Sequence, residues 1–129
     1  MAIDRVQVNE GSAKTVTFTL RDNAGTVVPL ANIDTATLTL YDLDTFAPNS
    51  SPQTGIVNDR LEQDVKNAND VTIHATSGLV TWAMQGEDAV IVTPRRQMER
   101  HRGCFIFVVD DIPLTYELEI DVLNLRSVA

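Results

Sequence analysis

The residues able to do chemistry are few in this chain, and their spacing suits little of it. Cys104, His74 and His101 are its whole supply of thiol and imidazole. Zinc sites of the usual kind take several Cys or His at short spacing, so no metal centre is expected. Cys104 would need a partner base and a depressed pKa to act as a nucleophile. His101 is near in sequence, but Cys104 opens an apolar run and reads better as a small buried residue. His74 falls on the outward side of an alternating segment and reads as an exposed sheet residue.

Carboxylates are plentiful, so pairs can be drawn at Glu87-Asp88, at Asp110-Asp111 and along Glu117, Glu119 and Asp121. Glycoside hydrolysis needs two of them across a substrate cleft, and so short a chain has little material to wall one. Calcium wants about six to eight oxygens on a constrained loop. Asp42, Asp44 and Asn49 match no such spacing. Solvated strand faces and turns account for these acids. The glycines are scattered at turn positions and form no phosphate-binding loop. The expectation is a non-enzymatic protein without cofactor or metal.

One local concentration remains. Arg95, Arg96, Arg100 and Arg102, with His101, place four of the ten basic residues within a short segment. Arginine's planar fork suits contact with an acidic neighbour, which makes these five residues the candidates for a protein interface. A solvated loop that balances the acidic strand faces is the competing reading.

The elements that would position these groups are strands. At 129 residues, with 43% hydrophobic and 22% charged residues, the chain has the size and composition of one globular domain. A formal charge of -8 argues against nucleic acid and against an anionic membrane surface as partners. A single cysteine rules out an intrachain disulfide, so packing alone must hold the domain. The opening Met1-Ala2-Ile3-Asp4-Arg5 lacks the pattern of a secretory signal, and cytosolic synthesis is expected.

Apolar residues recur at period two through most of the chain. Val16, Phe18 and Leu20 interleave with threonines, then Asp22-Asn23-Ala24-Gly25 turns. Ala36, Leu38 and Leu40 repeat the pattern. Residues 42–59 lack it and are expected as a mobile loop, with a short strand near Ile56 and Val57. Leu61 to Val65 reads as a short strand. Val71 and Ile73 lead through Ser77-Gly78 into Val80, Trp82 and Met84, a hairpin with Trp82 in the core. Thr93 to Gly103 reads as a charged irregular segment. Cys104 to Val109 reads as a central strand covered on both faces, and Tyr116, Leu118, Ile120 and Val122 as the last strand. Residues 1–12 are a possible extended arm. These elements predict an all-β sandwich of about seven to nine antiparallel strands.

The chain resembles the small immunoglobulin-like structural proteins of tailed bacteriophages. The resemblance rests on Lys14 to Asp22 with its Asn-Ala-Gly turn, on Leu38-Thr39-Leu40-Tyr41-Asp42, and on Ser77-Gly78-Leu79-Val80-Thr81-Trp82 running into Gln85-Gly86-Glu87-Asp88-Ala89. Tyr116 to Val122 completes it, while the segment before Cys104 is richer in arginine than the family pattern. The resemblance implies a virion component, assembled in the host bacterial cytoplasm and present in multiple copies. It would dock onto capsid, portal or neck, or tail proteins without catalysis. A carbohydrate-binding or adhesive sandwich is the alternative, with Tyr41 as a plausible outward aromatic.

Overall fold

The computed structural model describes residues 4–47, 49, 53–93 and 96–124. Among the described residues, eight strands form two sheets. The larger has the order β1-β8-β7-β3-β4 and the smaller β2-β6-β5. The strands are β1 (Asp4–Asn9), β2 (Lys14–Thr19), β3 (Thr35–Asp42), β4 (Gln63–Asp64), β5 (Val71–Ile73), β6 (Leu79–Met84), β7 (Met98–Val109) and β8 (Ile112–Leu123). Neighbours pair antiparallel except β1, which runs parallel to β8 from Asp4↔Leu118 to Asn9↔Leu123. The second, sixth and fifth strands share one sheet, and the third, seventh and eighth share the other. This is the strand partition of an immunoglobulin-like sandwich.

The period-two segments become half-buried strands because each has one face to hide. Val16 and Phe18 of β2, Val80, Trp82 and Met84 of β6, and Val71 and Ile73 of β5 are buried on one side. Ala36, Leu38 and Leu40 of β3, Phe105 and Phe107 of β7, and Leu118, Ile120 and Val122 of β8 close the core from the other. Trp82 is fully buried, as expected. Its ring meets Phe105 edge-on with centroids 5.5 Å apart. Directly opposite sits Gly103, where an added Cβ would lie 3.5 Å from the indole.

The turns follow from residue type. Asp110 and Asp111 have φ of 51° and 63°, as a two-residue hairpin loop of type I′ requires, and Asp tolerates this region better than bulky residues. At the 22–25 turn, Asp22 Oδ1 accepts the N–H groups of Ala24 and Thr26.

Four expectations are corrected. Residues 4–9, inside the proposed arm, form a strand of the larger sheet, and its parallel pairing departs from an all-antiparallel fold. The irregular segment 93–103 ends early, because β7 already begins at Met98. Cys104 to Val109 is central in its sheet but covered on one face only: Phe105 and Phe107 are buried, whereas Cys104, Ile106 and Val108 are half-buried. Part of 42–59 folds back along β3. Asp42 N–H donates to Gly55 C=O, Val57 N–H to Leu40 C=O, and Tyr41 bridges Ile56. Pro48 and residues 50–52 lie outside the described part.

Candidate functional site

The arginine-rich segment does not present one surface. Arg95 lies outside the described residues. Arg96 donates to Asp44 at 2.6 Å, an ion pair open to solvent. From Met98 onward the alternation of β7 sends Arg100 and Arg102 to the outer face and His101 inward. His101 is completely buried, so it cannot contact a partner as the sequence reading proposed.

On the outer face the arginines meet the acidic row of β8 across the ladder. Arg100 is opposite Asp121 and Arg102 opposite Glu119. Arg102 lies 3.7 Å from Glu117 and 3.8 Å from Glu119, and Arg5 of β1 ion-pairs with Glu119 from the other side. Opposite charges facing across strands contribute about 0.2–1 kcal/mol each. The balancing reading therefore describes Arg102 well, although a strand and not a loop supplies the charge. Glu119 is only 8% exposed, more covered than a solvated strand face would leave it.

Alternation also separates Cys104 from His101, because residues three apart on a strand point to opposite faces. Burial pushes the Cys104 thiol up, and nearby Glu117 adds to the shift. Both effects oppose a thiolate. His74 is exposed, as expected, and its Nδ1 accepts the N–H groups of Thr76 and Ser77 at the β5–β6 turn.

Two buried polar clusters were not visible in sequence spacing. In the first, Arg60 is 2% exposed and uses its whole guanidinium. Nε and Nη2 donate to the two oxygens of Asp88 at 2.6 and 3.1 Å, and Nη2 also reaches Asp70 at 2.9 Å. Nη1 donates to Gln63 Oε1 and to Asn69 C=O. The guanidinium carbon lies 5.8 Å from the centre of the Trp82 ring. Asp88 further accepts from Asn58 Nδ2 and from the Gln85 N–H, which caps the short 3-10 turn Gly86–Ala89.

The second cluster joins Asp42, Glu99 and His101, all 0–1% exposed. Glu99 and His101 are two apart on β7 and share its inward face, while Asp42 ends β3 directly opposite His101. His101 Nε2 lies 2.9 Å from Glu99 Oε1 and 4.0 Å from Asp42 Oδ1. Glu99 accepts the N–H groups of Val92 at 2.7 Å and Thr93 at 2.6 Å, tying those two residues to the strand. Burial works against ionisation of Glu99. The bonds from Val92, His101 and Thr93 outweigh it and hold the carboxyl below its ordinary range. Asp42 Oδ2 accepts from Thr45 Oγ1 at 2.7 Å, but Asp42 Oδ1 and His101 Nδ1 are buried without a hydrogen-bond partner among the described residues.

A third feature lies at the opposite end of the sandwich. Because β1 reaches only Leu118, residues 112–117 of β8 have β7 on one side and no described strand on the other. The Glu10 N–H donates to Leu123 C=O on the β1 side. Residues of the same parity, namely Pro113, Thr115 and Glu117, therefore aim their backbone groups to that same side. Between this edge and β2 runs a groove of about 450 Å³ lined by Phe18, Leu20, Arg21, Leu114, Thr115 and Tyr116. Ile112 beside it is 52% exposed. Tyr116 stacks on Phe18 with centroids 3.8 Å apart and donates its hydroxyl to Asp4. Burial raises the Tyr116 pKa, and the Asp4 carboxylate raises it further, so the hydroxyl stays a donor.

These features define a class: an immunoglobulin-like sandwich whose β8 is unpaired on one side at residues 112–117 among the described residues, with two polar clusters in its core. The sequence matches no protein-family model and no curated protein.

Proposed function

We propose that this chain is a non-enzymatic structural protein of a tailed-phage virion, docking onto capsid, neck or tail neighbours through loops and a sheet edge. The observation that carries the docking part is residues 112–117 of β8, which pair with no strand on that side among the described residues, beside a groove of mixed polarity. An extended segment can add to such an edge by main-chain hydrogen bonds while its side chains enter the groove. Pro113 lacks an N–H on this edge and would limit unspecific strand addition. A net charge of -8 favours solubility before assembly. The virion assignment itself rests on the family resemblance.

The test uses purified particles. The protein is expected in them in multiple copies, and its absence would overturn the virion reading. Ile112→Lys and Arg100→Glu change exposed positions, so both variants are expected to fold normally by circular dichroism. Ile112→Lys is expected to reduce incorporation about tenfold, in line with loss of an interface anchor. Normal incorporation of Ile112→Lys would remove the β8 edge from the interface, and normal incorporation of Arg100→Glu would remove the outer arginines.

A carbohydrate-binding sandwich is favoured by one observation. Tyr41 and Phe46 stack with centroids 4.2 Å apart at the partly exposed end of β3. Glycan binding lost on Tyr41→Ala would support that reading.

A further inference from the structure

We infer that Asp42, Glu99 and His101 bind one divalent transition-metal ion, for which Zn²⁺ is the best-fitting probe, through Asp42 Oδ1, Glu99 Oε1 and His101 Nε2.

The geometry is close to what a metal needs. One ligand atom from each of the three side chains lies within 4.8 Å of the others. Zinc bonds of about 2.0–2.2 Å place neighbouring tetrahedral ligands roughly 3.4 Å apart. The Glu99–His101 separation of 2.9 Å and the Asp42–His101 separation of 4.0 Å bracket that spacing. Small torsional adjustments of the side chains would equalise them.

Charge points the same way. Two buried carboxylates face one imidazole in the core, and no Lys or Arg ion-pairs with either of them among the described residues. A dication would supply the opposite charge. Buried carboxylates otherwise demand a compensating cation, as Arg60 supplies for Asp88.

The orphaned oxygen is an independent sign. Asp42 Oδ1 is fully buried, faces His101 and has no hydrogen-bond partner among the described residues. A carboxylate oxygen left in that position costs free energy unless something binds it. Its companion Oδ2 is held by Thr45, and Glu99 is held by two backbone N–H groups. The ligands are thus oriented before any ion arrives. Binding through Nε2 breaks the His101–Glu99 hydrogen bond and releases any proton carried there.

Donor type selects the ion. One imidazole with two carboxylates suits zinc and its neighbours better than Mg²⁺ or Ca²⁺. His101 Nδ1 has no acceptor behind it, and loss of such a partner weakens metal sites by about 10–100-fold. An affinity weaker than that of closed four-ligand zinc sites is expected. The ion would join the end of β3 and the start of β7 to residues 92–93.

The experiment takes the full chain stripped with chelator and titrates it with Zn²⁺, with Co²⁺ as a visible-absorbing substitute. Expected are one ion per chain, and a rise in Tm of about 10 °C at a hundredfold excess over Kd. The His101 ring signals should move in the NMR spectrum of the unaltered protein while those of His74 stay still. Mg²⁺ should do none of this. Asp42→Asn should weaken binding at least tenfold, whereas His74→Ala and Cys104→Ser should leave it unchanged. An unmoved Tm with unmoved His101 signals overturns the proposal, as does binding that disappears with His74 or Cys104. The NMR readout needs no variant, so a misfolded mutant cannot decide the outcome.

Discussion

Around Arg60 every guanidinium N–H has an acceptor, and the two carboxylates it faces share one fixed positive charge. Around His101, two fully buried carboxylates share a single imidazole, and one carboxylate oxygen is left over. Both clusters sit in the same core, and both join segments far apart in sequence. The first is a closed network that fastens the 58–70 segment to the 3-10 turn at Gly86–Ala89. The second fastens Val92 and Thr93 to β7 but keeps bonding capacity in reserve. A saturated polar cluster can only hold a fold together, whereas an unsaturated one can also take a ligand.

Mutating one acid in each cluster tests that contrast. Asp88→Ala leaves Arg60 Nε without its acceptor in the core and is expected to cost about 3–5 kcal/mol, the usual penalty for breaking a buried pair, measured by urea denaturation. Trp82→Ala should fall in the same range of about 3–5 kcal/mol, since it opens a cavity under Arg60 and against Phe105. A tryptophan emission matching free indole in water would contradict its burial. Glu99→Gln can no longer accept from both Val92 and Thr93 and should cost about 1–3 kcal/mol.

Asp42→Asn, in the absence of metal, should cost less than about 1 kcal/mol, because it removes a charge whose Oδ1 is unpartnered. Equal losses for Asp42→Asn and Asp88→Ala would erase the distinction between the clusters. Arg96→Ala, which breaks an exposed pair, should change stability by less than about 0.5 kcal/mol.

Acid sharpens the comparison further. The folded-state pKa of Glu99 lies below its ordinary value of 4.5. The stability it contributes is therefore fully present above that value and is lost as pH falls through the folded pKa. The stability difference between the protein and Glu99→Gln should shrink on that descent. A difference independent of pH would mean that Glu99 is not ionised in the fold.

Much of the fold was legible because a strand half-buried against a core must alternate. Val16-Thr17-Phe18, Val80-Thr81-Trp82 and Leu118-Glu119-Ile120 all show their inward face directly. Trp82 was placed in the core on that ground alone. The first errors came where alternation was carried by polar residues. Glu99-Arg100-His101 read as an irregular segment, yet Glu99 and His101 occupy inward strand positions. A Glu and a His two apart at the start of an apolar strand was the signal available. The Asp42–His101 pairing offered none, because residues 59 apart meet only through register.

Chain chemistry alone determined the all-β class, the turns at Asp22 to Gly25 and Asp110-Asp111, and a core without a disulfide. Local sterics and the two-residue side-chain period are properties of short stretches, so short stretches reveal them. Tertiary structure decided the parallel docking of β1, the scattering of the arginines and the meeting of Asp42 with Glu99 and His101. Those outcomes depend on which strands become neighbours and in what register. Global burial selects that arrangement, and no local segment encodes it.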